Sequence, residues 1–431
     1  MRKNYKWAVV GLLWFVCFFN YADRQSISSV FPLLTSEFGF DAVQLGWIGS
    51  AFAWVYAGVA PFAGLAADRY SRKRLLVFAC VVWSFFTLAT AWCSGLTSFL
   101  IVRSLTGLGE TFYFPAAMAL LSDYHDAGTR SRAMSWHQSA VYAGTILGSW
   151  LAALLAQHHG WRVPFYFFGP VGIVLALVLV RWLDEPARGA ADRSATSLPH
   201  DHAPVGMASL PVGETIGIIL RTPTALMLMG AFVCANFVAT VFLTWTPKFL
   251  VEKFHYAIGA AGLTGTVYIH LASAITVPLA GWLADRLSRR WPAGRIAVQG
   301  GALLVGATFV YLVGSTVNTM TLLLSMAAFG ACKGFYDSGI FASLYDVIEP
   351  RARGTAAGLM NTVGWAGGAL GPLAVGFATK YGRHTDQIAN MSEAIAFGSI
   401  IYFAGAVLLT AAFFAAKRDI ARLAAPGVAS T

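Results

Sequence analysis

Twelve long apolar stretches constrain this chain of 431 residues more than any other feature. A helix needs about 20 mainly apolar residues to cross the hydrocarbon core of a bilayer. Only 12% of the residues are charged, whereas an ordinary soluble domain carries about 25%. The sequence therefore predicts an all-α integral membrane protein with twelve transmembrane helices. The predicted spans run 7–31, 45–66, 75–94, 98–121, 134–156, 163–183, 224–249, 259–284, 293–314, 320–345, 355–379 and 394–416.

The basic residues predict the orientation of these spans. Of the 30 Lys and Arg residues, 22 lie at the two ends of the chain, in the connections that follow even-numbered spans, or within three residues of those connections. Cytoplasmic loops of membrane proteins carry an excess of Lys and Arg. Both termini are therefore expected in the cytoplasm, and the protein is expected in the inner (plasma) membrane of the cell. The same asymmetry accounts for the net charge of +10, and nucleic-acid binding is not expected.

A polar connection divides the chain into two halves of six spans. We expect a first bundle at 1–183, a cytoplasmic linker at 184–222, a second bundle at 223–416 and a cytoplasmic tail at 417–431. The linker is rich in Pro, Ala, Ser and His and shows no apolar period, which is typical of a flexible connection. Its His200-Asp201-His202 string is a weak metal signal, and the five isolated cysteines form no metal-ligand pattern.

An internal repeat supports the division into halves. The string Gly-Leu-Ala-Ala-Asp-Arg-Tyr-Ser-Arg-Lys follows span two, and Gly-Trp-Leu-Ala-Asp-Arg-Leu-Ser-Arg-Arg follows span eight. Two parallel six-span repeats are a known plan of secondary transporters, and they predict two pseudo-symmetric six-helix bundles. The strings could alternatively supply only the charges that set topology. Their candidate gating residues are Asp68, Arg69, Arg72, Asp285, Arg286 and Arg289.

This duplicated loop resembles the signature of the major facilitator superfamily. The resemblance covers nearly the whole chain and implies a transporter that works by alternating access. It also implies that the loops form a gate on the cytoplasmic side. Asp68 would cap or pair with a neighbouring helix end, and Arg69 and Arg72 would contact carboxylates across the interface between the halves.

Six Asp, Glu, Lys and Arg side chains lie well inside the predicted spans, away from the span ends, where each is costly to bury. Such residues normally face the protein interior or a wet cavity. Arg103 and Glu110 are seven residues apart on span four and share a helix face. Lys333 and Asp337 are four apart on span ten and could form an ion pair. The six residues are Asp23, Arg24, Arg103, Glu110, Lys333 and Asp337.

The residue types suggest a division of roles inside the membrane. The planar fork of Arg binds a carboxylate in a bidentate manner, so Arg24 and Arg103 suit an anion site. A carboxylate in a partly dry cavity can exchange a proton near neutral pH, so Asp23 and Glu110 suit proton coupling. The alternative is that these groups form structural ion pairs only.

Two further strings sharpen the family resemblance. Asn20-Tyr-Ala-Asp-Arg24 in span one and Arg103-Ser-Leu-Thr-Gly-Leu-Gly-Glu110 in span four look like motifs of the anion:cation symporter family. That resemblance implies proton-coupled transport of a small organic anion such as a hexonate or hexuronate. It also implies that Arg24 and Arg103 bind the substrate carboxylate, that Asp23 and Glu110 couple protons, and that Tyr21 and Tyr56 line the cavity.

Four other polar residues are candidates for recognising substrate hydroxyls or for ring stacking. They could equally be helix-packing contacts. His137, near the cytoplasmic end of span five, is expected at the membrane interface. The four candidates are Gln138, His270, Asn361 and Trp365.

Two other functional hypotheses stay open on the sequence. The chain could be an exchanger or exporter of another solute, such as an organophosphate or a drug, or a receptor without transport. An enzyme is not expected, because no phosphate loop, catalytic triad or metal cluster is evident. The expected partners are a small organic anion and the lipid bilayer, with the protein as a monomer. No cofactor is expected other than the proton as coupling ion.

Overall fold

A computed structural model of the chain describes residues 5–126, 128–187, 190–191 and 212–424. The described residues form helices and short connections, and they contain no strand. The helices of the first part of the chain are α1 (Tyr5–Ser29), α2 (Phe31–Phe38), α3 (Ala42–Arg69), α4 (Arg72–Thr90), α5 (Leu96–Thr111), α6 (Tyr113–Tyr124), α7 (Arg130–His159) and α8 (Val163–Trp182).

The second part of the described chain also contains eight α-helices. A short 3-10 turn, Pro350–Ala352, precedes the last two helices. The helices are α9 (Val212–Leu220), α10 (Pro223–Phe254), α11 (Ile258–Ser288), α12 (Gly294–Ser315), α13 (Thr319–Asp337), α14 (Ile340–Val347), α15 (Arg353–Tyr381) and α16 (Gln387–Ala424).

Each of the twelve predicted spans coincides with a helix or with two consecutive helices. Nine helices of the described chain are long and apolar enough to cross a membrane. Spans four and ten fall outside this group, and each is broken, into α5 and α6 and into α13 and α14. The remaining span is α15, which is unbroken but rich in glycine. The all-helical membrane architecture predicted from the sequence is therefore confirmed.

The described helices belong to two compact units. The first unit comprises Met1–Val205 together with Leu243–Thr266, and the second comprises Gly206–Phe242 together with Val267–Thr431. The division thus passes through α10 and α11. The predicted bundle boundaries at 183 and 223 stay a prediction, and the string at 200–202 lies outside the described residues. Helix α9 occupies the end of the predicted linker.

Local sequence signals set several helix ends. The Asp41 carboxylate accepts from the Gln44 backbone N–H, and the Gln44 side chain accepts from the Asp41 N–H, which completes a capping box at α3. Ser71 caps α4 through Arg74, and Asn318 caps α13 through Thr321. These polar caps satisfy backbone groups where the helices end.

Small residues let α1 and α7 lie close together in the first unit. A Cβ atom added at Gly148 would lie 2.2 Å from the Ala22 Cα atom, and one added at Gly144 would lie 2.4 Å from the Phe18 carbonyl oxygen. Such close approach of backbones is typical of helix packing in membranes. Large apolar side chains on outer faces, such as Phe62 and Leu177, are exposed, as expected for surfaces that contact lipid.

Candidate functional site

A buried cluster of four charged residues lies inside the first unit. Arg24 on α1 donates from Nε to the Glu110 Oε2 atom at 2.8 Å and from Nη2 to the same oxygen at 2.5 Å. The Glu110 side chain is completely buried, and that of Arg24 is 14% exposed. Asp23 and Arg103 are also buried. The formal charges of the four residues sum to zero, which offsets part of the cost of burying them.

Three polar atoms of this cluster have no hydrogen-bond partner within the described part of the chain. They are Asp23 Oδ1, Glu110 Oε1 and Arg103 Nε. The other oxygen of Asp23 accepts from the Thr87 hydroxyl of α4 at 3.1 Å.

Aromatic rings surround the two guanidinium groups. The Cζ atom of Arg24 lies 4.5 Å from the ring centroid of Tyr21, 4.6 Å from that of Phe52 and 5.6 Å from that of Tyr56. The Cζ atom of Arg103 lies 5.3 Å from the same Phe52 ring. The face of an aromatic ring attracts a cation, so these contacts add to the ion pair in holding the charges in place.

Glu110 forms its ion pair with a residue of another helix. Arg103 and Glu110 share a face of α5, yet the hydrogen bonds of Glu110 go to Arg24 on a different helix. Spacing along one helix shows which residues share a face but not which neighbouring helix meets that face. The structure thus brings together six of the predicted site residues: Asp23, Arg24, Arg103, Glu110, Tyr21 and Tyr56. Their roles in substrate binding and proton coupling stay predictions.

Helix breaks follow the charged residues in both halves. Helix α5 ends at Thr111, directly after Glu110, and α13 ends at Asp337. In the second unit Lys333 pairs with Asp337 one turn along the same helix, as the spacing predicts. These two side chains are 19% and 32% exposed. The span-ten pair is therefore less buried than the pair of Arg24 and Glu110.

The remaining polar candidates lie on three helices, α7, α11 and α15. Gln138 is exposed on α7 in the first unit. His270 is buried on α11, and Asn361 and Trp365 are half-buried one turn apart on α15. These three residues belong to the second unit. Their part in substrate recognition stays a prediction.

His137 lies inside the first unit. Its side chain is fully buried there, and its expected depth at the membrane interface stays a prediction. The ring nitrogen Nε2 lies 2.8 Å from the hydroxyl of Tyr113, which also lies 2.9 Å from the Leu13 carbonyl oxygen. His137 faces α6 because Tyr113 offers it a polar partner there. Position along the helix alone did not reveal this partner.

The first motif loop makes a buried ion cluster. Arg72, at the first position of α4, pairs with Asp123 of α6 and with Glu185, which follows α8. The Arg72 backbone N–H donates to Glu185 Oε1 at 2.7 Å, and the Ser71 hydroxyl donates to the other oxygen. Burial raises the pKa of Glu185, but these hydrogen bonds outweigh it and hold the pKa below its usual value.

The two carboxylates that pair with Arg72 belong to the same unit as Arg72. The predicted contact of Arg72 with carboxylates across the interface between the halves is therefore corrected. Its partners lie within the first unit because α6 and the end of α8 approach α4 there. Arg69 is exposed, and the side chain of Asp68 lies outside the described residues. Whether these two residues act in gating stays a prediction.

The second motif loop places its ion pairs differently. Arg295 of α12 donates to Asp285 at 2.9 Å and to Asp346 of α14 at 2.8 Å. Arg289 is exposed, and Arg286 lies over the Trp282 ring at 5.4 Å. Arg295 and Asp346 follow Arg72 and Asp123 by the same number of residues. Arg295 is therefore the structural counterpart of Arg72, although the repeated string aligns Arg72 with Arg289.

Comparison with known proteins assigns the family. The model of the Major Facilitator Superfamily matches residues 13–372 and, in a second match, residues 249–427. The chain belongs to the Major Facilitator Superfamily. It is thus a membrane-spanning transporter and not an enzyme, as the sequence predicts. Among its described residues, no group of three or more His, Cys, Asp or Glu side chains could hold a metal ion.

Similar proteins include plant and bacterial transporters. The chain is 29% identical over 389 residues to the probable anion transporter 4, chloroplastic, of Oryza sativa subsp. japonica, covering 88% of this chain and 64% of that protein. It is 28% identical over 400 residues to a probable galactarate/D-glucarate transporter of Escherichia coli (strain K12), covering 87% of each. The chain thus spans less than two thirds of the rice protein.

A solved structure shares the fold. A bacterial homologue of the human lysosomal transporter Spinster superposes with a TM-score of 0.80 at 20% sequence identity. The match covers 98% of this chain and 99% of that one. At this identity the match supports the fold and carries no statement about the substrate.

Sequence reasoning missed two uncharged members of the cluster. Phe52 lies under both guanidinium groups, and Thr87 holds Asp23. Neither residue belongs to a repeated motif or carries a charge. Phe52 lies one turn before Tyr56 on α3, so the predicted cavity role of Tyr56 was the one signal that could have found it.

Proposed function

We propose that this protein is a proton-coupled importer of a small organic anion, in particular a sugar acid such as a hexonate or hexuronate. The substrate carboxylate binds at Arg24 and Arg103, and protons bind at Asp23 and Glu110. Tyr21 and Tyr56 line the site. The names of the rice and E. coli relatives support an anionic substrate, and the second name supports a sugar acid.

The observation that carries this proposal is the set of unpartnered atoms in the buried cluster. Within the residues that the structure describes, Arg103 Nε is a donor without an acceptor, and Asp23 Oδ1 and Glu110 Oε1 are acceptors without a donor. Leaving buried polar atoms unpaired is costly, so such atoms are expected to have a function or a missing partner. A substrate carboxylate supplies the acceptor for Arg103, and a proton supplies the donor for the two acids.

The geometry gives a reason for coupling between the two ligands. Glu110 occupies the Nε and Nη2 donors of Arg24 while it is charged. A proton on Glu110 removes that charge and releases the guanidinium fork for the substrate carboxylate. Proton and anion then each favour binding of the other, which is the reciprocal relation that coupled binding requires. The loaded and neutralised carrier changes state, releases both ligands and returns empty.

The same proposal includes the setting of the protein. The 22 Lys and Arg residues at the chain ends and near the connections after even-numbered spans support both termini in the cytoplasm and a location in the inner (plasma) membrane of the cell. We expect the carrier to act as a monomer, because all residues of the proposed substrate site belong to one chain.

Uptake into proteoliposomes tests the proposal. The purified protein is reconstituted, and accumulation of radiolabelled hexonates, hexuronates and hexarates is measured with an imposed inward proton gradient. We expect accumulation of at least one sugar acid that disappears when a protonophore collapses the gradient. Empty liposomes are the control. Absence of gradient-driven accumulation for the whole panel would overturn the substrate assignment, and gradient-independent counterflow would indicate exchange.

A further inference from the structure

One aromatic ring contacts both arginines of the buried cluster. Phe52 on α3 is 3% exposed, and its centroid lies 4.6 Å from the Arg24 Cζ atom and 5.3 Å from the Arg103 Cζ atom. Two cations from different helices, α1 and α5, therefore meet at a single side chain from a third helix. The distance between the two Cζ atoms therefore cannot exceed the sum of these two distances.

The neighbours of Phe52 keep its ring in place. A Cβ atom added at Gly107 of α5 would lie 2.7 Å from the Phe52 carbonyl oxygen and 3.3 Å from its Cα and Cδ2 atoms. The backbone of α5 thus packs directly on Phe52. The ring of Tyr56 lies 5.7 Å away at an interplanar angle of 30°. Phe52 has little room to move away from the guanidinium groups.

The two arginines depend on this ring to different degrees. Arg24 has a charged partner in Glu110, to which it donates twice. Arg103 has a buried Nε atom without a hydrogen-bond partner within the described part of the chain. A ring face beneath a guanidinium group offsets part of its desolvation without occupying its in-plane donors. The ring can therefore stabilise Arg103 while leaving that donor open.

We propose that Phe52 is a positioning residue for anion binding. Its ring holds the Arg103 guanidinium so that Nε stays open to a carboxylate and does not turn toward Asp23 or Glu110. This inference rests on the proposed function, since it assigns Phe52 to the same anion site. It predicts that anion affinity depends on the electron density of the ring as well as on its shape.

A fluorination series at position 52 tests this directly. Phenylalanine analogues with one, two and three ring fluorines are incorporated in the full-length protein, because they weaken the attraction for cations while nearly preserving shape. We expect the KM for the transported sugar acid to rise step by step, to about tenfold for the trifluorinated ring. The maximal rate should change less than about twofold, since binding and not turnover is affected.

Matched variants separate positioning from packing. Phe99 is another buried phenylalanine of the first unit, but its ring packs on Trp161 at 5.4 Å. The same series at position 99 should leave KM unchanged. Phe52→Tyr keeps the ring and should retain near-normal KM, whereas Phe52→Leu should raise KM at least as much as the trifluorinated ring. A flat series at position 52 would overturn the inference.

Two further measurements distinguish this inference from the proposed function: transport by the unsubstituted protein, and thermal unfolding without substrate. If the unsubstituted protein accumulates sugar acid but the series at position 52 is flat, only the role of Phe52 fails. If the unsubstituted protein binds no carboxylate, the proposed function fails and the positioning role fails with it. A stepwise fall of Tm along the series at position 52, absent at position 99, would then show that Phe52 stabilises buried cations only.

Discussion

Spans four and ten occupy corresponding places in the two halves, yet they hold their charges in different ways. In span four Glu110 pairs with Arg24 of another helix, and the pair is almost fully buried. In span ten Lys333 pairs with Asp337 of the same helix, and both side chains are partly exposed. Both helices break directly after the acidic residue. The helix break is therefore common to both halves, whereas the partner of the acidic residue differs between them.

This difference indicates which of the two ion pairs can respond to a bound ligand. A pair within one helix links residues whose spacing is already fixed by the helix, and it is worth only a few tenths of a kcal/mol when exposed. A buried pair between helices links α1 to α5, and losing one partner leaves an uncompensated charge. The pair of Arg24 and Glu110 is therefore the one whose neutralisation should change the structure of its unit.

The largest expected effect comes from removing the carboxylate charges. Glu110→Gln should lower the free energy of unfolding by about 3 kcal/mol, because it leaves Arg24 buried without its anion. Asp337→Asn should lower it by only about 0.5 kcal/mol, because its pair is partly exposed and lies within one helix. Thermal unfolding of both variants in the same detergent measures the difference. Equal losses of stability would contradict the contrast between the two spans.

A smaller effect is expected from exchanging the bases. Arg103→Lys keeps the charge but loses the planar fork, and sugar-acid uptake should fall about 30-fold, equivalent to roughly 2 kcal/mol. Lys333→Arg should change uptake less than about twofold, since a base remains beside Asp337. Initial rates in proteoliposomes with an inward proton gradient provide the comparison. Near-normal uptake by Arg103→Lys would remove Arg103 from the binding site.

The smallest expected effect concerns the two motif loops. The pKa of Glu185 is held below its usual value, so its contribution to stability is present above the unfolded pKa of about 4.3 and is lost as pH falls through the folded value. Glu185→Gln should lower Tm by about 1–2 °C at pH 7 and should lessen the fall of Tm between about pH 5 and pH 3.

The corresponding control lies in the second unit. Asp285 pairs with Arg295, but its side chain is 61% exposed. Asp285→Asn should therefore change Tm at pH 7 less than Glu185→Gln does. If both variants gave the same shift, the buried character of the first loop would not matter for its stability.

The sequence predicted the helices better than their contacts. Apolar stretches located every span, because the length of a membrane helix is fixed by the bilayer and not by tertiary packing. The partner of Glu110 was not predictable in the same way, since it depends on how α1 and α5 are rotated about their axes. The roles of residues without charge or motif, such as Phe52 and Thr87, emerged only from the packing of α1, α3, α4 and α5 in the structure.

The offset between the two motif loops has a practical consequence. The connection from Asp285 to Arg295 is longer than that from Asp68 to Arg72, so matching letters do not mark matching roles. A mutagenesis survey guided by the repeated string would change the exposed Arg289 and would miss Arg295 and its ion pair with Asp346. Internal duplication in such chains is better traced by counting from the starts of corresponding helices.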